Sequence, residues 1–281
     1  MQTKIMTLFT RTPLHVGCGS SVGAVDQPVV RERHTGFPVI PGSAIKGVLA
    51  DLWNERKDKE TVRSKEGVDL FGSDDTANAR AGKLLIGEGR LLAFPVRSAK
   101  GAFAWLTCPL ALNRFRRDSG AAFAVPEVSG EEVLLTAKSD LNFVESGKVI
   151  FEEYPLTVSG TIGEDLFAAL SGLCMDDIWA ELKNRLAIVS DELFQYFAEN
   201  ACEIANHNRI DDEKGVVAQG ALFNQENVPS ETLFYGVMNA KDGAHLDLLA
   251  DRLNKAGNLL QVGADATTGL GWCSVASKEV K

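Results

Sequence analysis

The feature that most constrains this chain is a proline. The glycine-rich run GCGSSVG at residues 17–23 is spaced like a dinucleotide-binding fingerprint, yet Asp26, Gln27 and Pro28 follow where such a fold must open a helix. Pro28 has no amide proton to give a helix, so none forms there. A Rossmann unit is excluded, and what remains is a glycine-rich loop that carries Asp26 and ends on a basic, extended segment at residues 29–33. Residues 4–10 before it alternate as a strand. After it, FPVIPGSAIKGVLADLW reads as a turn at Pro41 and Gly42, an N-cap at Ser43, and a helix with Ile45, Val48, Leu49 and Leu52 on one face.

That reading puts Lys46 in the first helical turn. The first amides of a helix lack backbone partners and carry the positive end of its dipole, so a phosphate beside Lys46 is one reading and a solvated lysine behind an ordinary cap the other. Asp26 is likewise either a turn-former or a loop carboxylate with chemistry to do. The net charge of −9 argues against a general nucleic-acid binder, although basic residues cluster at Arg31 and Arg33 and again at Arg114, Arg116 and Arg117. Five scattered cysteines, none in a C-x-x-C pair, argue against a disulfide framework or a zinc site and fit a reducing cytoplasm. No apolar run is long enough to span a membrane, and the amino terminus has no leader pattern.

Further on, residues 54–82 are charged and poor in apolar groups, which predicts a frayed helix end and a surface loop. KLLIGEGRLLAFPVRS gives a kinked pair of strands, and Thr107 with Pro109 starts a short helix. Residues 118–160 predict hairpins outside the main pattern, and residues 164–201 predict helices, the last begun by Ser190. Residues 206–238 predict linked β-ribbons, with a charged tip at Asp212–Lys214. A helix from His245 to Ala256, a strand, a loop through Gly263, Gly269 and Gly271, and a closing strand complete the chain. With no internal repeat, this is one elaborated α+β domain over residues 1–281 with an insertion at about 101–201.

No P-loop, H-E-x-x-H or G-x-S-x-G signature is present, and the four histidines, His15, His34, His207 and His245, are too dispersed to form a metal cluster by spacing. The blocks TPLHVGCGSSVGAVDQPVVRERHTGFPVIPGSAIKGVLAD, NRIDDEKGVVAQGALFNQENVPSETLFYG and LLQVGADATTGLGW resemble the RAMP superfamily of CRISPR-associated proteins, nearest the backbone subunit of type III-B (Cmr) effector complexes. The resemblance implies a ferredoxin-like, RRM-related core with inserted lobes and a projecting β-hairpin. It implies a subunit that polymerises with further copies of itself and other subunits along guide CRISPR RNA and cuts paired target RNA, a cytoplasmic antiviral endoribonuclease with no membrane partner.

By position, the resemblance makes Asp26 and His15 the catalytic residues, with Asp26 also the metal ligand, and the cofactor a divalent ion, magnesium or manganese. Gly42, Ser43, Lys46, Arg31, Arg33, Arg209, Gly269 and Gly271 become the RNA contacts, and the hairpin around Arg209 to Phe223 the wedge between base-paired stretches. The loop GLGW departs from relatives in having Leu270 where a basic residue is usual. A non-catalytic guide-binding scaffold and a processing enzyme for precursor guide RNA remain alternatives.

Overall fold

The computed structural model of the chain describes residues 1–19, 23–57, 60–73, 79–143, 146–208, 210, 217 and 222–280. Its centre is a four-stranded antiparallel sheet. β1 (Gln2–Thr10) leads through the long loop to helix α1 (Gly42–Asp51), and β2 (Gly89–Arg97) follows. β3 (Leu233–Ala240), helix α2 (Ala244–Lys255) and β4 (Trp272–Glu279) close the unit. In space the strands lie in the order β4-β1-β3-β2, the ferredoxin-like arrangement, with Ile5 opposite Val237 on one side of β1 and opposite Lys278 on the other.

Between β2 and β3 the chain makes a long excursion. Phe103–Thr107 pairs antiparallel with β2 and carries the same sheet outward through Leu186–Val189, Glu132–Leu135, Tyr154–Thr161 and Lys148–Phe151. The expectation of hairpins standing outside the main pattern is therefore corrected: these strands extend the central sheet. Phe9 of β1 packs against Trp179 at 5.6 Å and Trp105 at 6.3 Å, and the two indoles meet edge-on at 5.0 Å, so one aromatic cluster joins core and excursion. Both indole N–H groups are satisfied, donating to the Glu231 and Leu170 carbonyls.

Three local expectations also change. Residues 54–71 are not a loop: Asn54–Lys57 pairs with Glu60–Arg63, and Ser64 caps a helix over Lys65–Phe71 by accepting the Gly67 amide. Charge hid them, because a two-stranded ribbon and a short helix each need only one buried side. Leu186–Val189 is a strand inside a stretch expected to be helical. Helix α1 begins two residues early, with Pro41 at its cap position, no side-chain cap, and Ser43 exposed within the first turn.

Candidate active site

The loop carrying Asp26 does not float; it is laid on one short strand, Phe223–Asn227, which pairs antiparallel with Glu203–His207 as a separate two-stranded ribbon. Three consecutive polar residues of that strand, Asn224, Gln225 and Glu226, each hold another segment of the chain. The Asn224 side-chain oxygen accepts the Asp26 amide at 2.7 Å, and the Asn224 amide donates to Asp26 Oδ2 at 2.9 Å. Gln225 donates to Asp265 Oδ2 at 2.9 Å and to the Asn227 side chain at 3.0 Å. His15 Nδ1 donates to the Glu226 carbonyl at 2.7 Å. Since a carbonyl can only accept, Nδ1 carries a proton, and the other ring nitrogen, Nε2, faces Gly17.

A side chain at Gly17 would collide with that nitrogen: its Cβ would lie 2.8 Å from His15 Nε2. His15 is only 5% exposed, whereas Asp26 is exposed. The strand thus brings the two together, one at the surface and one beneath it, on anchors two positions and about 7 Å apart. The C-terminal glycine loop closes over the same place. Ala264 donates to the His15 carbonyl at 2.9 Å, and Gly263 passes so close to that carbonyl that no Cβ fits.

Beneath the loop, the Glu226 carboxylate accepts the Val29 amide at 2.9 Å and the Arg31 guanidinium at 2.6 Å. Arg31 also donates to the Gly36 and Ala198 carbonyls and to Cys202 Sγ. Burial pushes the Cys202 thiol up to about 12, so it stays neutral beside the guanidinium. Arg31 is consequently turned inward, and its hydrogen-bonding groups tie the basic segment to the ribbon.

The sequence model of the RAMP superfamily matches residues 7–274, which takes in both the ferredoxin-like core and this loop. The chain belongs to the RAMP superfamily. Among RAMP relatives, the CRISPR system Cmr endoribonuclease Cmr4 of Pyrococcus furiosus is 37% identical over 293 residues, covering 100% of this chain and 97% of its own. The CRISPR system Cms endoribonuclease Csm3 of Mycobacterium tuberculosis is 29% identical over 180 residues, 59% of this chain and 75% of that one. The crystal structure of oligomeric Cmr4 from Pyrococcus furiosus superposes with a TM-score of 0.75 at 30% identity, over 100% of this chain and 99% of that chain. A chain of the type III-B Cmr-beta complex bound to cognate target RNA gives 0.75 at 19% identity, covering 99% and 97%, a likeness of fold alone.

The RAMP residues expected to meet RNA are differently placed. Ser43 and Lys46 are exposed on one face of α1, and Arg33 is exposed on the turn beyond Arg31. Gly42 has a packing reason of its own, since a Cβ there would lie 2.8 Å from the Ile86 carbonyl oxygen. The amides of Gly269 and Gly271 already donate to the Ala266 and Pro13 carbonyls, at 3.1 and 2.8 Å, so neither is spare for a phosphate. Arg209 and the hairpin tip at Asp212–Lys214 lie outside the described residues. Asn224 and Glu226, which hold the site together, were missed by sequence reasoning. The available signal was the unbroken polar run NQEN between Phe223 and Val228, three of whose members are buried.

Proposed function

We propose that this RAMP protein is the backbone subunit of a type III-B CRISPR effector complex, an endoribonuclease that lies along guide RNA and cuts the paired target. The observation that carries the reading is Asp26: an exposed carboxylate, on a loop fixed from below by the strand Phe223–Asn227, whose last three residues are buried, in a chain that spans nearly the whole length of a Cmr4 endoribonuclease. Self-association with further copies fits the oligomeric relative.

Cutting RNA requires the adjoining 2′-hydroxyl to be in line with the phosphorus and to lose its proton while phosphoryl charge is stabilised. Asp26 has one oxygen bonded to the Asn224 amide, and the second is the group we place against the RNA. His15, beneath, holds the loop and offers Nε2 to a proton at its inner edge. Among the described residues no three His, Cys, Asp or Glu side chains gather into a metal cage. A lone carboxylate still suits magnesium, which keeps several waters and takes its other ligands from phosphate oxygens. Bound at Asp26, a divalent ion would supply charge neutralisation at the scissile phosphate.

Guide RNA is assigned to α1 and the adjoining turn through Ser43, Lys46 and Arg33, where the uncapped first-turn amides suit an anion. The test is to assemble the complex with guide RNA and matched target, with and without magnesium or manganese, and map the products. The expected outcome is metal-dependent cuts at regular intervals. An inert complex on matched target would leave a scaffold, and cutting of free repeat RNA by the isolated chain would point to precursor processing.

A further inference from the structure

Two of the bonds that hold the Asp26 loop use one side chain, and that side chain performs no other visible task. The Asn224 carboxamide accepts from the Asp26 amide at 2.7 Å and donates to the Ala24 carbonyl at 3.2 Å. It replaces a peptide group: it offers the loop the same acceptor and donor that a neighbouring strand would. Its orientation follows from its partners, because a flipped amide would set N–H against N–H and oxygen against oxygen. The Asn224 backbone amide then catches Asp26 Oδ2 at 2.9 Å, and Gln27 donates to the Asn224 carbonyl at 3.1 Å. Every polar group of Asn224, main chain and side chain, is directed at Ala24, Asp26 or Gln27. Apolar packing does not account for it, as Asn224 is half-buried and its neighbour Phe223 supplies the ring contact, stacked on His207 at 5.1 Å.

We infer that Asn224 is a positioning residue for target cleavage: it fixes the loop backbone on both sides of Val25 so that the second oxygen of Asp26 points toward bound RNA. The inference rests on the ribonuclease reading of Asp26 above. A loop of glycines and small residues samples many backbone states when free, and a reacting group displaced by about 1 Å can lose roughly a hundredfold in rate. The clamp removes that freedom. It also ties Asp26 to the ribbon, since the strand that carries Asn224 is paired along its whole length with Glu203–His207. A movement of the ribbon is therefore a movement of the carboxylate.

The test is Asn224→Ala in the assembled complex with guide RNA, followed by three measurements: equilibrium binding of matched target, single-turnover cutting, and amide hydrogen exchange across residues 23–27. The expected result is unchanged target affinity, cutting slowed by about 10- to 100-fold, and faster exchange at Asp26 in both free and bound complex. Cutting at the wild-type rate would overturn the inference. So would a loss of target binding parallel to the loss of cutting, which would make Asn224 part of the general binding surface. The two readings fail separately: an inert wild-type complex removes the ribonuclease assignment, whereas an active wild-type with an equally active Asn224→Ala complex removes only the clamp. Exchange at Asp26 that is no faster in the variant removes the clamp whether or not the complex cuts.

Discussion

Helix α1 contains two glycines, and only one of them is needed by the fold. Gly42 approaches the Ile86 carbonyl, but at Gly47 no atom lies within 4 Å of where a Cβ would stand, and the residue is exposed in mid-helix. Glycine there costs about 0.5–1 kcal/mol relative to alanine. Gly47→Ala should therefore stabilise the free chain by that amount, raising Tm by about 1–3 °C for a domain of this size. Gly47 shares its face with Ser43 and Lys46, at helical spacings of four residues and one. If a phosphate backbone lies close along that face, an added methyl group acts as overpacking, typically about 1–3 kcal/mol, and weakens RNA binding roughly 5- to 150-fold. The two effects have opposite signs. Thermal melting of the free chain and titration with a long single-stranded RNA at fixed salt measure them on one preparation. A lower Tm would refute the reading of open space, and unchanged affinity would refute the close approach of RNA.

Asp26→Asn should keep the amide bonds to Asn224, fold and bind target normally, and lose nearly all cutting; retained cutting removes Asp26 from the chemistry. Lys46→Ala should weaken unrelated RNAs alike and flatten the dependence of affinity on salt, read from titrations at rising ionic strength. Glu32 accepts bonds from Thr35 and from Arg114 at 2.9 Å. Burial raises its carboxyl, but those bonds outweigh burial and hold it below the ordinary 4.5. Its ion pair thus contributes fully above about pH 4.5 and is lost as pH falls through the lower folded value. Glu32→Gln should lower Tm at neutral pH and reduce the steepness of acid unfolding; identical acid limbs would count against it.

Where local chemistry decided, the sequence was enough. Ser190 accepts the Leu193 amide as its cap pattern demands, Pro109 opens a helix, and Gly257 stands just past α2 in the left-handed region. Asp26 was legible as a loop residue because Pro28 forbids a helix. The ferredoxin-like fold class was legible through the order of strands and helices together with the family blocks. What escaped depends on partners remote in sequence. LAIV at 186–189 is too short for periodicity to separate strand from helix, and only its neighbours on both sides decide. Arg31 reads as a surface cation until Glu226, far along the chain, is brought beneath it. The polar run 224–227 breaks strand alternation because Asn224 and Glu226 serve residues 24–31 and Gln225 serves Asp265, and none of them an apolar core.

The register of β1 has a consequence for how the protein is made. Its two neighbours are β3 and β4, so residues 2–10, six of them fully buried, find both partners only in the last part of the chain. At about 5–20 residues per second, this apolar strand leaves the ribosome roughly 10–45 s before β3 exists to receive it. During that interval both of its edges are unpaired, the condition that favours association between nascent chains. A message cut short before residue 233 would thus yield more than an inactive fragment: it would release a strand with no place to go, and its handling would fall to chaperones and proteases.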